Sequence, residues 1–455
     1  MTNGSLGFLI QAAELFKHRS TRLDTSELKP FVKSFQDRKD LFLQLAANEG
    51  SPLYVIDTGM LKLKANQFRK AFTLHLPRTQ FFYALKSNSH PSIISGLVNE
   101  GFGLDVSSGI ELKTAINAKA QKIIFSGPGK QADELELAVQ NNEKVTVLID
   151  SFNELQKLEK VAAHLQRHIQ AGIRITTDES GIWKKFGIPL NHVQEFFDES
   201  QRCKFVSLCG LQFHISWNLN PEAQVIFIAN LGTALKRMNK KFRDKIQFID
   251  IGGGFWPEAG EWLQFAATPP GILQNALAKS EIRSLEHFKE PASPLSSFVE
   301  KISIALGNHV PSDMHYVTYV EPGRWLCNDA MHILLTVVDV KSNDLVITDG
   351  GTNAIGWERF EIDYFPVINL TRPSLQEKEC LIAGSLCTPH DLWGYSYFGN
   401  GIKEGDVLLI PNQGAYTFSL RQEFIKPLPK SVVMPDDPGA KNINLGKSRI
   451  GNMAK

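Results

Sequence analysis

The sequence predicts an α/β protein, built as a (β/α)8 TIM-like barrel followed by a mainly β domain. Between residues 79 and 320, eight short apolar runs alternate with amphipathic stretches, which is typical of βα units and a parallel sheet. Most of these runs end in a charged residue, a histidine or glycines, as expected at the functional end of such a barrel. After residue 325 the pattern changes to short strand-like runs separated by turns.

The elements follow in order along the chain. Residues 1–51 have apolar residues at roughly helical spacing and are predicted to be an N-terminal helical segment that packs with the second domain. The barrel domain is predicted to span residues 52–325, with a lead-in strand at 53–56 and a helix after it. The eight barrel strands are predicted at 81–85, 102–106, 122–125, 145–149, 172–175, 209–213, 247–251 and 316–320.

The second domain is predicted to span residues 326–433. Its runs at 332–340, 345–348, 380–383 and 406–410 have the pattern of antiparallel strands. The last stretch, 434–455, is rich in Pro, Gly, Asn and Lys and is predicted to be a loose tail.

Composition excludes several classes of protein. The chain has 455 residues, with 49 Lys and Arg against 48 Asp and Glu, and lacks long runs of one sign, which argues against a dedicated nucleic-acid or membrane-surface protein. The longest apolar stretches are about ten residues, well short of the roughly 20 that a membrane span needs. The N-terminus has no secretory pattern. The five cysteines form no C-x-x-C pair, so we expect no metal site and a reduced, cytoplasmic protein.

Six of the predicted barrel strands carry or end in residues that can bind a cofactor or take part in catalysis. Taken singly, each has a plainer explanation: a lysine after a strand is usually solvated, a histidine is usually a satisfied core residue, glycines usually serve a turn, and Glu321 with Arg324 could be an ion pair. Together, an amine, a glycine nest, an arginine, an imidazole and a carboxylate describe a pyridoxal-phosphate site. The residues are Lys86, Asp105, Arg174, His214, Gly252, Gly253, Gly254, Glu321 and Arg324.

The chain resembles the fold-type III pyridoxal-phosphate decarboxylases, the ornithine, diaminopimelate and arginine decarboxylase family, whose fold is alanine racemase-like. The matching motifs lie in the family's order across roughly residues 52–425. They are FYALKSN at 82–88, GLDVSS at 103–108, FSGPGK at 125–130, KFG at 185–187, FHIS at 213–216, DIGGGF at 250–255, EPGR at 321–324, CTPHD at 387–391 and GAY at 414–416.

The resemblance implies a role for each site residue. Lys86 would hold pyridoxal 5'-phosphate as a Schiff base, His214 would stack on its ring, and Glu321 would pair with the ring nitrogen. The phosphate would be held by Gly252, Gly253, Gly254, Arg324 and Tyr416, and Asp105 and Arg174 would lie near Lys86 and the ring hydroxyl. Cys387 would return a proton to the α-carbon. Cys387 and Asp391 would enter from the partner subunit, which implies a homodimer with the active site at its interface.

Departures from the family's motifs bear on the substrate. Trp217 replaces a serine that contacts phosphate, and Thr388 follows Cys387 where related enzymes carry an acidic residue. The CTPHD stretch is similar to decarboxylases of antibiotic and siderophore biosynthesis, which act on conjugated amino acids. We therefore expect a bulkier, acidic amino-acid derivative. Trp357 and Trp393 would either offer apolar surfaces to this substrate or be ordinary core residues of the β domain, and Arg359 or Arg372 would meet an extra carboxylate.

The leading interpretation is thus a carboxy-lyase that acts on an L-amino acid or a derivative and gives carbon dioxide and an amine. Three alternatives remain. The chain could be a diaminopimelate- or ornithine-type decarboxylase acting on a free amino acid. It could be an amino-acid racemase, which needs a base on each face of the α-carbon. It could also be a non-catalytic relative that binds the cofactor, although such relatives tend to lose the lysine or the cysteine and this chain keeps both.

Overall fold

A computed structural model describes residues 11–14, 20–278, 285–356 and 362–435. Nineteen strands lie in these ranges. They are β1 (Thr21–Arg22), β2 (Leu53–Ile56), β3 (Thr79–Ala84), β4 (Gly103–Val106), β5 (Ile123–Phe125), β6 (Val145–Ile149), β7 (Ile169–Ile175), β8 (Val206–Phe213), β9 (Phe248–Asp250), β10 (Glu261–Leu263), β11 (Phe288–Glu290), β12 (Val317–Val320), β13 (Met331–Ser342), β14 (Leu345–Thr348), β15 (Ile368–Asn369), β16 (Glu377–Ala383), β17 (Leu392–Phe398), β18 (Val407–Ile410) and β19 (Lys430–Val433).

The helices alternate with the strands through the first two thirds of the chain. They are α1 (Thr25–Gln36), α2 (Lys39–Glu49), α3 (Thr58–His75), α4 (Pro91–Asn99), α5 (Gly109–Asn117), α6 (Ala132–Gln140), α7 (Phe152–Leu165), α8 (Val193–Ser200), α9 (Glu222–Arg237), α10 (Lys240–Lys245), α11 (Pro269–Ala278), α12 (Leu295–His309) and α13 (Arg324–Cys327). Within the described ranges, no helix is both long and apolar enough to span a membrane.

Eight parallel strands close into a barrel in the order β12-β3-β4-β5-β6-β7-β8-β9. Pairing of Val320 with Phe81 joins the last strand to the first. The predicted (β/α)8 barrel is therefore confirmed, and each predicted barrel strand overlaps an observed one.

Aromatic and branched side chains fill the inside of the barrel. Phe248 stacks on Tyr319 with ring centroids 4.4 Å apart, and Phe82 packs against Tyr319. A Cβ at Gly210 would lie 2.0 Å from the Phe248 ring, so the glycine makes room for this large side chain. The interior is thus a packed core, and only the mouth at the carboxyl ends of the strands is open to chemistry.

The helices begin soon after the barrel strands because polar residues cap them there. Ser108 follows β4 and its side chain accepts a hydrogen bond from the N–H of Glu111, at the start of α5. Ser151 follows β6 and accepts in the same way from the N–H of Glu154, at the start of α7. Such caps satisfy N–H groups that would otherwise lack a partner, and they fix where each strand ends and its loop begins.

The second sheet has eight strands, in the order β14-β16-β17-β15-β18-β13-β2-β19. The sheet contains both parallel and antiparallel pairs, since β14 is parallel to β16 and β19 is parallel to β2. The expectation of purely antiparallel pairing is therefore wrong. The predicted lead-in strand, β2, also pairs in this sheet, with Tyr54 opposite Ile333, so the predicted domain boundary at residue 52 assigns to the barrel a strand of the second sheet.

The N-terminal helices α1 and α2 pack on this second sheet. Val32 and Phe42 are fully buried in one cluster with Leu334 and Leu409 of β13 and β18. A small sheet, β1-β11-β10, links the N-terminal segment to the insertion that follows β9. Met434, the first residue of the predicted tail, is buried, and its N–H donates to the carbonyl of Ile56 at 2.8 Å. Residues 436–455 of that tail lie outside the described ranges.

Candidate active site

The structure brings the predicted strand-end residues together at one mouth of the barrel. Lys86 follows β3, Asp105 lies in β4 and Arg174 lies in β7. His214 follows β8, the glycines at 252–254 follow β9, and Glu321 follows β12. Since all eight strands are parallel and closed into one barrel, their carboxyl ends point to the same side.

Lys86 lies in a tight turn, Leu85–Ser87, directly after β3. Its Nζ is 3.3 Å from Oδ2 of the fully buried Asp105, whereas 38% of the Lys86 side chain is exposed at the mouth. Burial by itself would lower the pKa of Lys86, but the negative charges of Asp105 and Glu321 outweigh it and raise the pKa above its ordinary value. Ser126 donates to the other oxygen of Asp105 at 2.5 Å and so fixes the carboxylate that faces the amine.

Arg174 lies close to the same mouth on β7. Its Nε is 3.8 Å from Oδ1 of Asp150, and its guanidinium lies 4.5 Å from the centre of the Phe186 ring. Phe186 belongs to the KFG motif, in which Gly187 has a φ of 76° and runs so close to β7 that a Cβ would meet the Arg174 carbonyl at 2.8 Å. The motif therefore packs against Arg174 and limits its movement.

The tautomer of His214 is set by its hydrogen bonds. The N–H of Gly253 donates to Nδ1 at 3.1 Å, so Nδ1 carries no proton, and Nε2 lies 3.2 Å from the Ser216 hydroxyl. Burial, together with the positive charges of Lys86 and Arg174, lowers the pKa of His214 well below its ordinary value. The ring is thus neutral, with its proton on Nε2, and suits stacking on a cofactor ring.

The glycine turn after β9 needs glycine for steric reasons. Gly252 and Gly254 have φ angles of 70° and 82°. A Cβ at Gly253 would lie 2.2 Å from the carbonyl oxygen of Glu321. Two of the three N–H groups already have partners in the protein: Gly252 donates to Asp250 Oδ1 at 2.8 Å, and Gly253 donates to His214. A phosphate would therefore meet the turn at Gly254 rather than at all three glycines.

Arg324 opens the short helix α13 beside this turn. Its guanidinium lies 4.2 Å from the Trp256 ring centre and 5.1 Å from the Tyr416 ring centre. Tyr416 has a φ of 56°, and its N–H donates to the carbonyl of Ser87, next to Lys86. A phosphate at Gly254 would thus meet a guanidinium held between two aromatic rings.

Glu321 is a third buried carboxyl at the mouth, beside Asp105 and Asp250, with 2% exposure. The group nearest to it in salt-bridge range is His214, whose Nδ1 lies 3.8 Å from Oε2, and this imidazole is neutral. Burial raises the pKa of Glu321 well above its ordinary value, and the negative charges of Asp105 and Asp250 raise it further. Among the described residues, no lysine or arginine thus lies within salt-bridge range of this carboxyl.

Cys387 and Asp391 lie in the loop between β16 and β17. Cys387 is exposed. Asp391 is buried, and its Oδ1 accepts from the Thr352 N–H at 2.7 Å while its Oδ2 accepts from the Leu386 N–H at 2.6 Å. Both carboxylate oxygens thus have donors on their own chain, and they brace the loop that carries Cys387. Contact of either residue with substrate stays a prediction.

The residues expected to bind a bulkier substrate divide into three groups. Trp393 is fully buried and its indole N–H donates to the Gly350 carbonyl at 2.9 Å, so the expectation that it offers a substrate surface is wrong. Arg372 donates from Nε to both oxygens of Asp406 at 3.2 Å, which occupies that nitrogen. Trp357 and Arg359 lie outside the described residues.

Trp217 occupies the motif position of a serine that contacts phosphate, but its side chain is not directed into the site. It is 63% exposed and has a φ of 53°. The neighbouring Asn218 contacts the glycine turn instead, because its side-chain amide donates to the Gly253 carbonyl at 3.0 Å and its N–H donates to the Gly254 carbonyl at 3.0 Å.

Sequence reasoning missed Asp250 and Trp256, which flank the glycine turn. Asp250 is fully buried and hydrogen-bonds Gly252, while Trp256 stacks on Arg324. An acidic residue inside an otherwise apolar strand was a signal for Asp250, because a buried carboxylate requires partners. Trp256 gave no signal apart from its place next to the motif.

These features define a class of protein. The site has a lysine amine at the end of a barrel strand, a neutral imidazole, and a glycine turn beside an arginine that suits an anion. It also has a buried carboxyl without a cation in salt-bridge range. This set fits pyridoxal phosphate, because its ring nitrogen would supply a positive charge beside that carboxyl. The site is therefore that of a pyridoxal-phosphate enzyme.

Comparison with known proteins narrows the class. Residues 58–266 match the family model for the pyridoxal binding domain of pyridoxal-dependent decarboxylases. A diaminopimelate decarboxylase of Methanothermobacter thermautotrophicus is 28% identical over 86% of this chain and 88% of its own length. The L-glutamyl-(BtrI acyl-carrier protein) decarboxylase of Niallia circulans is 24% identical over 87% of this chain and 88% of its own length.

Solved structures agree in fold. The diaminopimelate decarboxylase of Helicobacter pylori, solved with L-lysine, superimposes with a TM-score of 0.70 at 23% identity and covers 87% of this chain and 94% of that one. Residues 58–266 thus form a pyridoxal-binding domain of the pyridoxal-dependent decarboxylase type, and most of the chain is similar to diaminopimelate decarboxylases, which supports a pyridoxal-phosphate-dependent decarboxylase of fold type III. The expected cofactor and enzyme class are thereby confirmed.

Proposed function

We propose that the chain removes the α-carboxylate of an L-amino acid or amino-acid derivative as carbon dioxide and releases the amine, with pyridoxal 5'-phosphate held at the barrel mouth. The observation that carries this proposal is Glu321, which is buried to 2% exposure beside a neutral imidazole. A carboxylate in that position keeps a ring nitrogen protonated. A protonated ring is what full carbanion chemistry requires, whereas a racemase can work without it.

The residues of the mouth divide the work of binding. Lys86 offers the amine that binds the aldehyde carbon, and Asp105 orients this amine from 3.3 Å. His214 would cover one face of the ring, and Gly254, Arg324 and Tyr416 would hold the phosphate. When bound, the cofactor supplies an electron-poor ring that accepts the electrons of the broken carbon–carboxylate bond.

Return of a proton to the α-carbon is assigned to Cys387. The thiol is exposed on a loop whose base is fixed by Asp391. A general acid works best where water is excluded, so an exposed thiol needs a second surface to cover it. We therefore propose a homodimer in which Cys387 of the partner subunit completes each mouth.

For the substrate, we propose an amino-acid derivative with a bulky acidic extension, such as a conjugate with a carrier or with citrate. Thr388 stands where an acidic side chain would bind a distal ammonium group, and its N–H bonds the Leu386 carbonyl at 2.9 Å. The similarity to a decarboxylase of an L-glutamyl acyl-carrier protein also favours a conjugated substrate. We also propose the cytoplasm as location, since all five cysteines are unpaired.

The test is release of carbon dioxide by the cofactor-loaded protein over a panel of substrates. The panel contains meso-diaminopimelate, L-ornithine, L-lysine, L-glutamate, L-glutamyl acyl-carrier protein and citryl-diamino acids. We expect activity on a conjugate and at least ~10²-fold lower kcat/KM on the free diamino acids, because buried polar groups discriminate strongly. Efficient turnover of free meso-diaminopimelate would overturn the substrate proposal. Exchange of the α-proton without carbon dioxide release would instead indicate a racemase.

A further inference from the structure

Two buried carboxyl groups lie side by side under the cofactor site. Asp250 ends β9 and is fully buried, and Glu321 directly follows β12 and is 2% exposed. The two strands are neighbours in the barrel, with Asp250 opposite Tyr319. Because side chains alternate along a strand, Asp250 and Glu321 project toward the same region of the mouth.

The hydrogen bonds of this pair leave one oxygen without a donor. Asp250 Oδ1 accepts from the N–H of Gly252 at 2.8 Å, and the amide of Gln212 donates to Glu321 Oε1 at 3.4 Å. Oδ2 of Asp250 is buried and meets no donor in the part of the chain that the structure describes. A buried acceptor without a donor costs free energy, and two adjacent carboxylates cannot both stay ionised without water.

We infer that Asp250 and Glu321 share one proton, and that Asp250 is a positioning residue which holds Glu321 toward the ring nitrogen of the cofactor. The inference rests on the proposed function only for the pairing of Glu321 with the ring nitrogen of the cofactor. A shared proton supplies the donor that Asp250 Oδ2 lacks. It also leaves the pair with a single negative charge, which one protonated ring nitrogen balances.

The charges around the pair fit a single proton. Asp105 adds negative charge from β4, Lys86 and Arg174 add positive charge from β3 and β7, and Tyr319 and the neutral His214 add none. Burial raises the pKa of Asp250 to about 7 and that of Glu321 well above its ordinary value, so the pair binds a proton at neutral pH.

Asp250 also connects two parts of the site. Its Oδ1 holds the first residue of the glycine turn, and its Oδ2 holds Glu321 through the proton. The turn in turn donates from Gly253 to Nδ1 of His214. The carboxyl that faces the ring nitrogen, the imidazole that faces the ring and the turn that faces the phosphate are thus held together by one short chain of bonds.

The test uses the full-length protein without cofactor, by infrared difference spectroscopy between acidic and alkaline pH. The wild type should show the band of a protonated carboxyl at neutral pH. Asp250→Asn and Glu321→Gln should each lose this band, because an amide donor lets the remaining carboxyl ionise. A band that persists unchanged in Asp250→Asn would show that Glu321 holds a private proton and would overturn the inference.

A second readout is the pH dependence of the melting temperature of the same cofactor-free proteins. A carboxyl whose pKa is raised on folding makes the folded state bind more protons, so stability is lost as pH rises from about 4 to about 7. Asp250→Asn should flatten this decline, while other titrating groups contribute equally to both proteins. Equal slopes would contradict the inference, whether or not the protein decarboxylates any substrate.

A third readout is cofactor affinity, measured by absorbance titration from about pH 6 to pH 9. In the wild type, the shared proton should add to the pH dependence of affinity, and Asp250→Asn should show a smaller dependence, while Lys86 and the cofactor phosphate contribute equally to both proteins; equal dependence in the two proteins would contradict the inference. If the wild type decarboxylates no substrate but gives the predicted infrared and thermal results, the proposed function is refuted and the shared proton is still supported.

Discussion

Replacing Glu321 by glutamine should separate catalysis from folding. The amide has the same shape and can still accept the 3.4 Å hydrogen bond from Gln212, but it cannot carry a negative charge. The group is 2% exposed, so water cannot replace the missing charge. The ring nitrogen that we propose pairs with Glu321 would then lose this negative charge, and electrons released at the substrate would be stabilised less well.

The magnitude follows from the burial. Removing one preorganised group from a water-excluded site costs about 10²–10³-fold in rate, or roughly 3–4 kcal/mol. The melting temperature of the cofactor-free protein should stay the same or rise, because a carboxyl that is costly to bury has been removed. The assay is kcat/KM from carbon dioxide release at saturating cofactor, together with thermal unfolding.

Glu377→Gln is the matched control, since this glutamate is also largely buried but lies in the second sheet. It accepts from His287 at 2.8 Å and from Ser396 at 2.5 Å. We expect this control to lower the melting temperature and to leave kcat/KM within about threefold. A Glu321→Gln variant that keeps more than about a tenth of the wild-type kcat/KM would refute the role given to Glu321.

Four further predictions concern single residues. Lys86→Ala should bind the cofactor without covalent attachment, so that borohydride treatment and mass spectrometry find no modified peptide; a modified peptide at another lysine would reassign the role. Cys387→Ala should slow amine formation by about 10²–10⁴-fold and misdirect protonation, whereas wild-type turnover would exclude the thiol. Asp391→Asn should lower kcat even at temperatures where the variant is fully folded, because Leu386 loses a charged acceptor; an unchanged kcat with a lower melting temperature would make Asp391 purely structural. Burial lowers the pKa of His332 to about 4, so the unfolded chain binds more protons above that pH and the free energy of unfolding should rise by up to roughly 3 kcal/mol as pH increases from about 4 to 6.5; denaturant titrations of His332→Gln should show a smaller rise.

The barrel was predictable because its strands are buried on both faces. Such strands appear in sequence as short continuous apolar runs, as in Phe81 to Leu85, and eight of them separated by helical stretches allow few other folds. The polar residues at their ends were predictable for the same reason. Once the strands are parallel, every carboxyl end must lie at one mouth, wherever the helices lie outside.

The second sheet was harder to predict because its pairing is non-local. The run Leu53 to Ile56 is equally apolar whether it leads into the barrel or pairs with β13, and only its partner decides. β15 has two residues, and the strands of the β1-β11-β10 sheet have two or three. Strands of that length carry no alternation that sequence reading could detect.

Side-chain direction was the other limit. Trp393 was expected either at the substrate or in the core, and it lies at an inward-facing position of β17 and is fully buried. Its indole N–H donates to the carbonyl of Gly350, 43 residues away in sequence, so its direction depends on a distant contact. The two oxygens of Asp391 accept from the N–H groups of Thr352 and Leu386, and its contact with a substrate stays a prediction.

The glycine turn shows how one motif can serve more than its expected ligand. It was predicted to give three N–H groups to a phosphate, but Gly252 donates to Asp250 and Gly253 donates to His214. The turn therefore fixes the carboxyl pair and the imidazole as well as the place for a phosphate at Gly254. Since a Cβ at Gly253 would press on the carbonyl of Glu321 at 2.2 Å, a substitution there should move Glu321 together with the turn. With the cofactor bound as we propose, its phosphate site and the groups beside its ring would therefore be coupled through this turn.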